Sequence, residues 1–242
     1  MDISVSAEHI FSVFGIPVSN TMLTAWMAVV LLAFFSFIAT RKMQKVPGGM
    51  QNFFEWMIES LFGLIESVMG DRKQTLKFFP LAATFFFFIL ASNWLGLLPG
   101  FGSIGIHEGE KFVPLFRSTA ADLNTTLALA MISVITIQVS GIMALGFFRY
   151  GKKFINFSSP INFFVGLLEL MSEFAKIISF SFRLFGSIFA GEVLLTVITG
   201  LLPYVAPLPF LGLEIFIGGI QAFVFMLLTV AFIKIATMEM AH

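Results

Sequence analysis

The chain has no cysteine, which removes disulfides, thiolate metal sites and cysteine nucleophiles at once. Charge is nearly as scarce: 12% of the 242 residues are charged, and 14 basic residues balance 14 acidic ones. A net charge of zero gives no bulk attraction to nucleic acid, and no nucleic-acid partner is expected. Histidine occurs only at His9, His107 and His242, each outside the long apolar runs, so paired intramembrane haem ligands are missing. No glycine-rich phosphate loop or metal-ligand cluster stands in the sequence, and no cofactor is expected. What remains is oil. The chain is 58% hydrophobic, with 33 phenylalanines and 13 methionines, and its mean hydropathy is +0.96. So few polar groups could not cover a soluble core of this size, so the solvent is lipid.

A helix needs roughly 20 apolar residues to cross the hydrocarbon layer. Residues 22–40, 78–98 and 123–148 meet that length. Ser19-Asn20-Thr21 can cap the first, and Thr119-Ala-Ala-Asp122 reads as a capping-box variant at the head of the third. The first run follows a mixed segment, residues 1–21, carrying Asp2, Glu8 and His9. It lacks a basic leader and a small-residue cleavage site, so it reads as a retained span. Residues 160–200 and 210–236 are too long for upright crossings, and the proline-rich turn Leu201–Pro209 between them predicts a hairpin of two tilted helices. Residues 47–70 mix Phe53, Trp56, Leu61 and Leu64 with Glu55, Glu59 and Glu66, which share one helical face. That pattern is an amphipathic helix lying in the interface, serving either to pack the neighbouring spans or to bind a partner.

Basic residues set the orientation. Arg41, Lys42, Lys45, Arg72, Lys73 and Lys77 lie in the first connection, and Arg149, Lys152 and Lys153 follow the third span. The alternate loop, residues 99–121, carries only Lys111 and Arg117, beside His107, Glu108 and Glu110. The expectation is an all-α integral membrane protein, one domain over residues 1–242. It has five crossings, the N-terminus outside and the C-terminus in the cytoplasm.

Charge returns where lipid should be. A charged side chain at mid-bilayer costs about 3 kcal/mol on insertion scales, and about 10 or more on an isolated helix in simulation. Yet Glu169, Glu173, Lys176, Arg183 and Glu192 all fall in one apolar segment. At about 100° per residue, Glu169, Ser172, Lys176, Ser179, Arg183 and Ser187 lie within roughly 40° of Arg183. Glu173 sits at the edge of that stripe, Gly186 and Ala190 extend it, and Glu192 projects to the opposite side. In the last segment Glu214, Gly218, Gln221 and Phe225 share a face. One Arg–Glu pair locking two helices would explain two charges. Six ionisable groups with Gln221 and three serines fit better with titratable groups lining water-filled paths. For Ser172 and Ser179, helix packing through small polar residues stands beside the lining role.

Around RLFGSIFAGE (Arg183 to Glu192), with Gln221-Ala-Phe-Val-Phe downstream, the chain resembles the subunit a family of F-type ATP synthases. Ser19–Trp26, Asn93-Trp-Leu-Gly-Leu-Leu-Pro-Gly100 and Ala121-Asp-Leu-Asn-Thr-Thr126 extend the resemblance over nearly the whole chain. It implies a membrane stator whose two long tilted helices curve around a ring of c subunits. It also implies a b-subunit peripheral stalk, and a soluble F1 sector that does the catalysis, so that the isolated chain is no enzyme. Arg183 then matches the arginine that meets each ring carboxylate, Glu192, Glu214, Asp122 and Asn124 would bring protons from outside, and Gln221 matches the family's glutamine. Glu169 matches the acid before the arginine, and Glu173, Lys176 and Ser172 would guide protons to the cytoplasm of a bacterium, its plasma membrane being favoured over an organelle's. Many relatives have Asn where this chain has Ser187; Ser can still give and take a hydrogen bond, so a polar lining survives.

Three rivals remain on sequence grounds. A secondary cation transporter with a midplane charged site would fit the intramembrane charges. It would show inverted repeats with broken helices in both halves, whereas these charges crowd into the C-terminal half. A haem-carrying anchor lacks its histidines. A purely structural assembly subunit leaves the buried charges without a purpose.

Overall fold

The computed structural model describes residues 7–13, 16–41, 43–44, 48–98, 104–108, 111–154, 159–202 and 205–238. Asp2, Lys42, Lys45, Pro47, Pro99, Gly100, Glu110, Pro203, Tyr204 and His242, all used above, lie outside the described residues.

Helices dominate. A short hairpin, β1 (His9–Val13) with β2 (Ile16–Ser19), leads into α1 (Asn20–Thr40). Then come α2 (Met50–Met69), α3 (Arg72–Gly96) and a second hairpin, β3 (Gly105–Glu108) with β4 (Lys111–Pro114). A 3-10 turn over Thr119–Ala121 leads to α4 (Leu123–Leu145), α5 (Phe147–Phe154), α6 (Pro160–Leu201) and α7 (Pro207–Met238). The helices α1, α3, α4, α6 and α7 are long and apolar enough to cross a membrane. The chain is an all-α integral membrane protein, and the two hairpins are small additions that no alternating pattern in the sequence announced.

At about 1.5 Å per residue the 42 residues of α6 reach about 63 Å, twice the roughly 30 Å hydrocarbon thickness. Such a helix has to lie strongly tilted. Its partner α7 runs antiparallel to it: Gly191 meets Glu214, while Phe180 meets Phe225, ring centroids 5.0 Å apart. The core sits around α7. On one side Met226, Val230 and Ile233 pack with Leu61, Ile65 and Met69 of α2 and Phe78 and Ala82 of α3. On the other, Ala222 and Phe225 pack with Phe85 and Ile89 of α3 and Phe180, Leu184 and Ile188 of α6. Thus α2 buries a stripe of Leu61, Ile65 and Met69 and leaves Phe53, Trp56 and Leu64 exposed.

Turns follow backbone chemistry. Gly70, at φ 75°, ends α2, its N–H donating to the Glu66 carbonyl, and Asp71 caps α3 directly. Helix α3 therefore begins in the basic stretch Arg72-Lys73, ahead of the apolar run. The third apolar run, expected as one span to Phe148, breaks at Gly146, whose φ of 82° favours glycine. After the break α5 folds back, so that Tyr150 lies over Gly141, where a Cβ would come within 2.4 Å of the ring.

The first turn of α1 is a polar knot in an otherwise lipid-exposed helix. Asn20, Thr21 and Thr24 are buried, while Val30, Phe34 and Phe37 face outward. Asn20 Nδ2 donates to the Pro114 carbonyl at 3.4 Å, and Thr21 Oγ1 donates to Asp122 Oδ2 at 3.2 Å. Thr24 Oγ1 accepts from the Arg117 N–H at 3.2 Å. Asp122 itself is the N-cap of α4, accepting from the Asn124 N–H at 3.1 Å; Thr119, read as the cap from sequence, opens the preceding 3-10 turn instead. Asp122→Ala should cost about 1–2 kcal/mol through the lost cap and lower the melting temperature of the detergent-purified chain. Asp122→Asn, which keeps an acceptor, should recover most of the loss.

Candidate functional site

Two cavities flank the middle of α6. The larger, about 400 Å³, lies where α3 and α6 end and α4 and α7 begin. Its polar wall includes Asn93, Arg117, Ser118, Glu192, Thr196 and Glu214. Arg117 Nε donates to Glu192 Oε1 at 3.0 Å and to Oε2 at 3.2 Å, and Nη2 donates to Oε2 at 3.2 Å. The carboxylate of Glu214 presses on the bare Cα of Gly191; a Cβ there would lie 1.8 Å from Oε2. Asn93 Nδ2 donates to the Gly218 carbonyl at 3.3 Å, which fastens α3 to α7 beside the cavity. Asn93 Oδ1 and Ser118 Oγ, both buried, have no hydrogen-bond partner among the described residues. Buried polar atoms are almost always paired with protein or ordered water. A polar cavity of this size has room for the water they call for.

The smaller cavity, about 230 Å³, is lined by Ser172, Ala175, Lys176, Ser179, Phe180 and Arg183 of α6, with Leu228 and Phe232 of α7. Lys176 Nζ lies 4.9 Å from the Phe232 ring centroid and donates to Glu173 Oε1 at 2.8 Å. Glu173 is buried, and its other oxygen accepts from Gln138 Nε2 at 2.6 Å; Gln138 in turn accepts from the Tyr150 hydroxyl. This short network ties α6 to α4 and α5. Glu169 pairs with Lys153 of α5 at 2.8 Å.

Arg183 lies at the boundary. It is exposed, and among the described residues its guanidinium has no carboxylate within ion-pair distance. From Arg183, at the edge of the smaller cavity, to Ile188, at the edge of the larger, α6 rises about 7.5 Å. That interval is filled by Leu184, Phe185 and Ile188, all buried, with Phe225 and Ala222 behind them. On the buried side of α6 the two cavities are thus separated by apolar side chains.

Arg183, Ser172, Lys176 and Ser179 therefore meet in one cavity, and Glu192 and Glu214 in the other. Asp122 and Asn124 line neither. Four donors fill Asp122: Thr21 and Thr125 hydroxyls and the backbone and side-chain N–H of Asn124. Ser187 Oγ donates back to the Arg183 and Leu184 carbonyls of its own helix. Gln221 is half-buried, and no hydrogen bond to its side chain is present among the described residues. Sequence reasoning missed Arg117, Ser118, Gln138 and Tyr150. Arg117 had counted only toward orientation, since its partner lies 75 residues away and no spacing joins them. Among the described residues no three His, Asp or Glu converge on a metal site.

Five membrane-crossing helices around two charged cavities define a polytopic membrane protein with ionisable groups at membrane depth, and the comparisons with known proteins narrow that class. The family model described as ATP synthase A chain matches residues 22–234. ATP synthase subunit a of Campylobacter jejuni subsp. doylei is 37% identical over 240 residues, covering 98% of this chain and 95% of that protein. The Gloeobacter violaceus ATP synthase subunit a is 39% identical over 214 residues, 88% and 82% of the two chains. That of Moorella thermoacetica is 34% identical over 225 residues, 93% and 94%. The chain belongs to the ATP synthase A chain family, and as such it is a multi-pass membrane component of an ATP synthase.

The Gly191 contact yields a direct test. Gly191→Ala puts a methyl group where the Glu214 carboxylate now sits, so one of them has to move. The variant should assemble, yet lose about tenfold or more of gradient-driven ATP synthesis in inverted vesicles, the size of effect that misplaced reacting groups produce.

Proposed function

We propose that this chain is the proton-conducting stator subunit of an F-type ATP synthase, providing two half-channels and holding Arg183 against a rotating ring of c subunits. The observation that carries this reading is the setting of Arg183. It is exposed, without an anion among the described residues, on a face whose exposed neighbours are Ser172, Ala175, Ser179, Gly186 and Ala190. Small residues let another helix approach closely inside a membrane. A guanidinium at that depth is costly unless an anion meets it. A carboxylate on a passing ring helix supplies that anion.

The mechanism follows from charge. A ring carboxylate has to be neutral while it faces lipid and ionised when it meets the stator. Arginine does not give up its proton, so Arg183 conducts nothing; its charge favours proton release from the carboxylate that reaches it. The released proton leaves through the smaller cavity, past Ser179, Ser172 and Lys176, with Glu173 and Glu169 beyond. Once the ring carries that carboxylate past Arg183, it draws a proton from the larger cavity, whose acids are Glu192 and Glu214. Because hydrocarbon separates the cavities, a proton crosses only by riding the ring. A membrane potential supplies about 2.3 kcal/mol per charge for roughly every 100 mV, and rotation is its outlet. Gln221 would lie toward the ring, Ser187 would keep the Arg183 turn polar, and Asp122 with Asn124 would hold the outer wall in shape.

The excess of basic residues around α2, the start of α3 and α5 supports a cytoplasmic placement of those ends, with the larger cavity outside and the smaller one inside. The bacterial relatives support a bacterial plasma membrane. In the working complex b subunits would hold the chain against torque, and the F1 sector would carry the nucleotide chemistry.

Arg183→Ala should abolish both gradient-driven ATP synthesis and ATP-driven acidification of inverted vesicles, and full coupling in that variant would end the stator reading. Arg183→Lys should also fail substantially, because a desolvated ammonium, unlike a guanidinium, sheds its proton. The cysteine-free background allows a second test. Ser172→Cys and Thr199→Cys should react with a membrane-impermeant maleimide from opposite faces of the membrane; labelling of both from one face would contradict opposed half-channels.

A further inference from the structure

Two acids share the larger cavity, and they are held in opposite ways. Glu192 is gripped at both oxygens by the fork of Arg117. Glu214 is buried, touches the Cα of Gly191, and accepts no hydrogen bond among the described residues. The arginine is built in rather than hanging in solvent. Its side chain is 7% exposed, and its backbone N–H is tied to Thr24 of α1. The next residues pass into the buried 3-10 turn Thr119–Ala121 and the Asp122 cap. Charged groups reach this cavity from three elements: Arg117 from the segment before α4, Glu192 from α6 and Glu214 from α7. Helix α3 contributes the uncharged Asn93, and Asp122 is engaged in capping α4.

Two carboxylates close together cannot both stay ionised without a counter-charge, and one guanidinium compensates one of them. We propose that Arg117 is the positioning residue of this cavity, fixing Glu192 as a permanent anion in its wall and leaving Glu214 as the group that takes up and passes on the proton. The assignment rests on the stator reading above and goes past it, because it divides the labour between two acids that the family resemblance treats alike. Geometry supports the division. A carboxylate held at both oxygens by a buried guanidinium cannot swing toward a ring carboxylate without giving up those bonds. Glu214, which accepts no hydrogen bond among the described residues, can accept a proton from cavity water without breaking one of those bonds.

The test uses the assembled synthase in inverted vesicles, with the amounts of this chain and of the ring measured by immunoblot. The variants are Arg117→Gln, Arg117→Lys and the double variant Arg117→Gln/Glu192→Gln, with Arg183→Ala as the reference for a dead stator. Arg117→Gln should lower ATP-driven proton pumping about tenfold or more, because it leaves Glu192 as an uncompensated second acid. Arg117→Lys, which keeps the charge, should recover most of the loss. The double variant should recover to within about threefold of wild type, because removing the acid along with its counter-charge leaves Glu214 to work alone. A residue needed only to fold the loop would give a double variant as inactive as Arg117→Gln, and that result in assembled complexes overturns the proposal. Full pumping in Arg117→Gln beside a dead Arg183→Ala overturns it too, and leaves the stator reading intact. Pumping in Arg183→Ala removes the stator reading and this proposal with it. Where the Gln-containing variants do not accumulate in the membrane, Arg117→Lys decides alone: a coupled enzyme supports the proposal and an uncoupled one overturns it.

Discussion

An exposed guanidinium on a helix long and apolar enough to cross a membrane, with no carboxylate within ion-pair distance among the described residues, is the constraint that organises this structure. Such a charge is tolerated only beside water or beside a carboxylate brought by something else. Both conditions shape α6. One side of Arg183 opens on a small cavity whose wall includes Ser172, Ser179 and Lys176, and the exposed residues nearest it on that face are small. Packing on either side of Arg183 fixes the helix that carries it. Phe180, three residues before it, lies edge-on against Phe225, while Leu184 and Ile188 are sealed into the core beside Ala222.

The second organising fact is the separation of polar regions by packed hydrocarbon. Leu184, Phe185 and Ile188 fill the interval on α6, and Phe225 fills it from α7, itself edge-on to Phe85 of α3. Apolar sealing and polar lining thus fall on adjacent turns of one helix. This explains why α6 is uniform neither in polarity nor in burial along its 42 residues.

Much of this was legible in the sequence, for reasons that differ by residue. The all-α membrane class follows from composition, because no other fold satisfies backbone hydrogen bonds in lipid with runs of this length. The stripe from Ser172 to Arg183 was legible because helical periodicity alone fixes which residues share a face. Where the site depends on contacts between distant segments, spacing says nothing. Arg117 looked like a loop cation until the fold laid it on Glu192. Glu173, at the edge of the stripe by periodicity, turned out to be buried against Gln138 and Lys176. Asp122 drew attention through its motif, and the structure shows an acid whose lone pairs are occupied by its own helix start and by Thr21. The break at Gly146 was missed because the apolar run continues through it, and hydropathy does not register a positive φ.

The fastening of α1 has a consequence for how the molecule is made. Its buried anchors, Asn20, Thr21 and Thr24, bond to Pro114, Asp122 and Arg117, about a hundred residues further along the chain. When α1 leaves the ribosome none of those partners has been synthesised, and its remaining surface is content in lipid. The first helix can pack on α3 as soon as that helix is made, but its polar end is fastened only once residues 114–122 have followed, so that this fastening is a late event in biogenesis.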